Sequence, residues 1–239
     1  MTHSLRSLAA CALLAAAAGA QDAPRRTEVA PPRAGAPVRP FGTQRDLAAL
    51  QQQWLSKRLD TFVPGLMRKH GIDFWVVTMR EYNEDPVFSS IVSAETMAAR
   101  RRTIYVFYDK CAAAGQAPAP SCVERIALGG TTQGGVWQAR RSTKAVEAAV
   151  GGRQAELWGD EQWQALKQLV EEKHPSVIGI NRSKVFAFSD GLSSGELQGM
   201  SEALGETWTA KFKDAEGLPL ELIADRKSTR LNSSHANIS

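Results

Sequence analysis

The densest run of ionisable side chains is Arg80-Glu81-Tyr82-Asn83-Glu84-Asp85-Pro86, directly after the apolar run Phe74 to Met79. Binding and catalytic groups collect on loops at strand ends. Glu81, Glu84 and Asp85 lie close enough in sequence for one carboxyl to act as acid and another as base in a hydrolysis. With Arg80 and Asn83 they make up a candidate functional loop. Asn, Asp and Pro also build turns, so a hydrolytic loop and a plain turn both fit these residues.

Other chemistry-bearing residues are sparse. His70 and His174 are far apart, and neither sits in H-E-x-x-H or another ligand spacing. Each falls near the expected end of a helix, where the macrodipole favours it. There is no G-x-S-x-G elbow and no P-loop, and Gly129-Gly130 and Gly134-Gly135 are spaced as turns. Arg100-Arg101-Arg102 fits either a phosphate patch or a solvated lead-in to a strand. Three consecutive side chains cannot share one face, which favours the lead-in. We therefore assign no catalytic, cofactor-binding or metal-ligating residue to this chain.

Alternating helices and strands must position these groups. Thr43 and Asp46 form a capping-box pattern ahead of Leu47, Leu50, Trp54, Leu55, Leu59, Phe62 and Leu66 at helical spacing. This helix is expected to bend at Pro64 and end at Gly71. Strands are expected over 74–79 and 177–180 as buried apolar runs, over 103–108 as a β-branched and aromatic run, and over 123–128, closed by Gly129-Gly130. Helices are expected over 142–150, from Asp160 to before Pro175, and from a Ser193/Glu196 capping box to Gly205. Trp208, Ala210 and Phe212 alternate as a last strand. Strands interleaved with helices imply a layered α/β domain, and the 103–109/123–130 hairpin makes its sheet mixed.

Arg6, the apolar run Leu8 to Ala17 and the small-residue site Ala18-Gly19-Ala20 make residues 1–20 an expected signal peptide. Leu8-Ala9-Ala10-Cys11 resembles a lipobox, but the apolar run follows Cys11 instead of preceding it. A cleaved signal peptide and a lipoprotein anchor both stay open. Residues 21–42, rich in Pro, Ala and Arg, read as a disordered leader. We expect a periplasmic or secreted chain. Removing the signal peptide leaves Cys111 and Cys122, an even count in an oxidising space, at facing ends of the expected hairpin. They are the disulfide candidate.

The tail Asp225 to Ser239, DRKSTRLNSSHANIS, has no apolar period. It back-translates codon by codon into a common short-read sequencing adapter followed by an index. We expect residues 225–239 to be foreign, with the natural reading frame interrupted near Ala224.

The whole chain of 239 residues is 43% hydrophobic and 23% charged, ordinary globular composition. Beyond the signal peptide no apolar stretch is long enough to span a bilayer, which excludes a polytopic membrane protein. The pI near 9.1 comes from the ends. Residues 1–40 carry a net +3 and 225–239 a net +2, while 41–224 carries −1. A nucleic-acid-binding domain concentrates positive charge on its folded part, so no nucleic-acid partner is expected.

Four segments together resemble a known family: Leu66 to Asp73 (LMRKHGID), REYNEDPVF at 80–88 with the following Ser-Ala-Glu-Thr, ARRRTIYVFYD at 99–109, and Phe188-Ser-Asp-Gly-Leu192. Residues 44–222 are similar to the N-terminal domain of secreted bacterial Xaa-Pro aminopeptidases, in the creatinase/prolidase/aminopeptidase P superfamily. The resemblance implies a creatinase-type, ribonuclease H-like domain over 43–224, a three-layer mixed sheet flanked by helices. It also implies that catalysis belongs to a separate C-terminal domain. There Asp, His and Glu residues hold two divalent ions, usually manganese, cobalt or zinc, and a metal-activated water attacks the bond before proline. This domain would serve homo-oligomerisation and shield a neighbouring active site, with peptide bound by the other domain. None of the metal ligands maps onto this chain.

Three functions follow: a truncated metallo-aminopeptidase whose fragment folds without cleaving, a stand-alone exported interaction module of the same fold, and an acid–base hydrolase using Glu81, Glu84 and Asp85.

Overall fold

The structure is a computed structural model that describes residues 42–112, 114–142 and 156–225. The expected signal peptide, nearly all of the leader, all but the first residue of the 142–150 helix and the tail after Asp225 lie outside the described residues.

Helix α1 spans Gln44–Thr61 and α2 spans Val63–Lys69. The Thr43 side chain accepts from Asp46 N, and Asp46 reaches back to Thr43 N, closing the expected capping box. Phe62 separates the two helices, with Pro64 in the first turn of α2, where a missing N–H costs nothing. The chain turns at Gly71, φ 59°, into β1, Phe74–Met79. Helix α3 (Phe88–Ile91) precedes β2 (Thr103–Asp109), which returns through a short 3-10 turn into β3 (Val123–Leu128). Then come β4 (Gln138–Arg140), α4 (Asp160–Lys173), β5 (Ile178–Ile180), α5 (Ser194–Leu204), α6 (Glu206–Thr209) and β6 (Phe212–Asp214). Residues 217–225 are helical.

The six strands form one mixed sheet in the order β4-β3-β2-β1-β5-β6. β2 pairs antiparallel with β1 and β3, whereas β3–β4, β1–β5 and β5–β6 are parallel. β2 is thus the one strand running against the other five. Alternation along the strands sends side chains to two apolar layers. Trp75, Val77, Met79, Tyr105 and Phe107 meet Leu59 of α1, Met67 of α2 and Leu218 and Leu222 of the 217–225 helix. Phe74, Val76, Ile104, Val106, Ile126 and Leu128 meet Leu166 and Leu169 of α4 and Met200 of α5. Burial on both faces explains why β1 and β2 read as unbroken apolar runs. The result is a three-layer α/β arrangement.

Three expectations need correction. The alternation Trp208-Ala210-Phe212 is not a strand. Gly205, φ 74°, ends α5 and opens α6, whose Thr209 N–H and Ala210 N–H donate to the carbonyls of Gly205 and Glu206. The strand begins only at Phe212. The Ser193/Glu196 capping box is half made: Ser193 Oγ accepts from Glu196 N, but the Glu196 carboxylate turns inward. Arg102 is no solvated lead-in, because its guanidinium lies 4.5 Å over the Trp163 ring and pairs with Glu196. No described helix is long and apolar enough to cross a membrane.

Candidate functional site at the carboxyl ends of β1 and β5

β1, β5 and β6 all end at the same edge of the sheet, where β2 begins. The chain leaves β1 at Arg80 and reverses at once, with Asn83 N–H donating to Arg80 O at 2.9 Å. Tyr82 takes φ 66° at the tip, a left-handed conformation costing a non-glycine residue about 1–3 kcal/mol. Glu81 N–H donates to Arg100 O, tying the loop to the lead-in of β2. Arg80, Glu81 and Asn83 are exposed, Glu84 is half-buried and Asp85 is buried.

The acids of this loop have separate partners. Glu84 Oε1 accepts from Ala99 N–H at 3.1 Å. Asp85 Oδ1 accepts from Val87 N–H at 2.9 Å, and its Oδ2 accepts from Asn181 Nδ2 at 2.9 Å. Asn181 follows β5, and its Oδ1 takes the indole N–H of Trp75 at 2.7 Å. Gly191 packs against the same carboxyl so closely that a Cβ there would stand 2.0 Å from Asp85 Oδ2. Burial pushes the Asp85 carboxyl up to about 6, against the opposing pull of the Val87 and Asn181 hydrogen bonds, and the Asp190 charge adds to the rise.

A second buried acid stands behind Arg80. The Glu196 carboxylate, 3% exposed, accepts from Thr78 Oγ1 at 2.8 Å and from Arg102 Nε at 2.9 Å, with Arg80 Nε at 3.4 Å. Two guanidiniums and a hydroxyl satisfy this charge, as an ion buried away from water requires. Arg100 pairs with Glu156 at 3.1 Å. Between them, a cleft of about 560 Å³ is lined by Glu81, Arg100, Arg101, Arg102, Glu156 and Trp158.

Among the described residues, every large apolar side chain that is exposed belongs to a loop at this edge: Tyr82, Met97, Trp158, Val185, Phe186 and Phe188. Tyr82 is 92% exposed and Met97 87%.

Cys111 and Cys122 lie at the opposite edge, where Phe74 pairs with Tyr108 and Asp109 with Val123. They form a disulfide with a Cα–Cα distance of 5.2 Å. Asp109 Oδ1 accepts from the N–H groups of Cys111 and Ala112, and Arg68 pairs with the same carboxylate. Asp109, Cys111 and Cys122 are the only three potential metal ligands that converge within 4.8 Å among the described residues. Two are sulfurs of a disulfide and offer no thiolate, so the group does not suit a metal. His70 and His174 cap α2 and α4 at their C-termini, and His70 Nε2 lies 3.0 Å from Glu221.

Sequence reasoning missed Asn181 and Glu196. A polar residue directly after the buried Val-Ile-Gly-Ile run is a signal for Asn181, since residues at the carboxyl ends of parallel strands face the loops. Glu196 was hidden by its capping position. Comparison with protein-family models, with curated proteins and with solved structures finds no match to this chain.

Proposed function

We infer that this chain is the non-catalytic N-terminal domain of an exported Xaa-Pro aminopeptidase-like metallopeptidase of the creatinase/prolidase superfamily, serving oligomerisation and the shielding of a neighbouring active site. The observation that carries the reading is the gathering of Tyr82, Met97, Trp158, Val185, Phe186 and Phe188 on one edge of the sheet. Exposed apolar side chains concentrated at one end of the sheet suit an interaction surface. Tyr82 is held at its tip in a strained backbone by a loop whose Glu84 and Asp85 are spent on anchoring. A hydrolytic loop would present its acids together; here Glu84 caps Ala99 and Asp85 is buried against Asn181.

A three-strand antiparallel meander, β1 to β3, extended by β5 and β6 parallel to β1, supports a ribonuclease H-like assignment. On this reading the two divalent ions and the peptide site belong to a downstream domain, and the mature chain works in the periplasm or outside the cell. The same apolar edge also suits a stand-alone exported interaction module. Genomic DNA beyond codon 224 separates the two: an in-frame domain bearing metal ligands supports the first, and a stop codon the second. The functional test joins residues 21–224 to that downstream domain and assays manganese-dependent cleavage of an N-terminal Xaa-Pro bond. Gain of chelator-sensitive cleavage supports the reading, and its absence in a folded, metal-loaded protein contradicts it.

A further inference from the structure

Asp85 is 2% exposed, and the groups its carboxyl meets are neutral donors: the Val87 N–H and the Asn181 amide. Three separate stretches of chain converge on it. These are the loop after β1, the residue after β5 and the Gly191 backbone ahead of α5. The fit to Gly191 leaves no room for a solvating water between them.

The charged groups of these elements do not compensate the carboxylate. Arg80 pairs with Glu196, Arg182 with Asp214, and Glu81 and Lys184 are exposed. Glu84 caps Ala99 N–H. Asp190, whose Oδ1 accepts from Ser183 N–H, acts on Asp85 with like sign. An ionised carboxylate in this position is a buried charge without a cation, whereas the neutral acid is an ordinary hydrogen-bonded core group.

We propose that Asp85 is a protonation-controlled latch that holds the Tyr82 loop to the Val185–Phe188 loop, closed when its carboxyl is neutral and loosened when it ionises. The latch concerns the free chain and stands whatever docks on the apolar edge. Its direction follows from linkage. The closed state binds the proton more tightly than an open state, in which Asp85 is solvated near its ordinary value of 3.8. Opening therefore rises with pH, up to a limit above about 6. An acidic setting keeps the apolar loops fixed together, and a neutral one frees them.

The test follows the full chain by NMR. The Asp85 side-chain carboxyl carbon is titrated, and backbone hydrogen exchange in 80–87 and 181–191 is measured at about pH 5 and pH 7.5, corrected for intrinsic rates. The latch predicts a carboxyl midpoint near 6, and loop opening about tenfold greater at the higher pH. Asp85→Asn, which removes the titrating carboxyl, should make the corrected exchange flat across this range. A midpoint near 4 overturns the proposal, as does the same pH response in Asp85→Asn. Should that variant fail to fold, the wild-type titration and exchange decide alone, because a midpoint near 6 without pH-dependent opening also overturns it.

Discussion

Asn181 joins Trp75 to Asp85, accepting the indole N–H at 2.7 Å through Oδ1 and donating to the carboxyl at 2.9 Å through Nδ2. One side chain thus connects a core aromatic of β1 to the loop that leaves the same strand. Trp75 is fully buried and stacks on Phe107 at 4.9 Å, so this end of the polar network rests on the rigid centre of the sheet.

Asn181→Ala removes both bonds and leaves the buried indole N–H of Trp75 without its acceptor and Asp85 Oδ2 without its donor, while Asp85 Oδ1 keeps the Val87 N–H. Each unsatisfied group costs about 1–3 kcal/mol, so the variant should lose about 2–5 kcal/mol of unfolding free energy. Urea titration followed by circular dichroism measures the loss. A change under about 1 kcal/mol would mean that water replaces the amide and that the site is not dry.

Glu196→Gln keeps the shape but strips the counter-charge from Arg80 and Arg102. Arg102 is mostly buried and Arg80 half exposed, so the main cost falls on Arg102. Removing one member of a buried pair costs about 3–5 kcal/mol; with two hydrogen bonds retained, we expect about 2 kcal/mol. The Arg80–Asn83 turn should also exchange amide protons faster. Unchanged stability would assign these arginines to solvent.

The pH dependence of stability should carry the signature of Asp85. Its folded value of about 6 stands above the unfolded 3.8. Its contribution is therefore fully present below about 3.8 and is lost as pH rises through about 6. The difference in unfolding free energy between wild type and Asp85→Asn should shift by about 2–3 kcal/mol across this window, with wild type relatively weaker at neutral pH. Denaturant titrations at four or five pH values trace it; a difference that moves the other way contradicts the burial argument.

Reduction of Cys111–Cys122, or Cys111→Ser with Cys122→Ser, opens a loop with a sequence separation of 11. A loop this short confers about 2–3 kcal/mol in the chain-entropy account. Thermal melts with and without a reductant should differ accordingly. Under native, non-reducing conditions a thiol reagent should label neither residue, and rapid labelling would count against the bridge.

The elements that can be read along the chain are those whose burial is local in origin. Phe74 to Met79 announces itself as a strand because the sheet is covered on both faces there and an apolar run needs no alternation. Thr43 and Gly71 mark the limits of the first helical region through side-chain capping and positive φ. What escapes is set by pairings distant in sequence. Glu196 looks like a cap residue until Arg102, 94 positions away, claims its carboxylate. Asn181 gains its role only because β5 lies beside β1. The Trp208-Ala210-Phe212 alternation satisfied a strand template, yet Gly205 started a short helix there. Of the candidate loop, the position at a strand end was legible, but the separate anchoring of Glu84 and Asp85 was not.

On the proposed reading, catalysis belongs to a domain other than this one. The measurement that bears on it most directly is turnover of an N-terminal Xaa-Pro peptide, with manganese and with chelator, by residues 21–224 alone and by the same residues joined to the downstream domain. No turnover is expected from the short chain, and chelator-sensitive cleavage is expected from the joined one. Chelator-sensitive cleavage by residues 21–224 alone would contradict the reading.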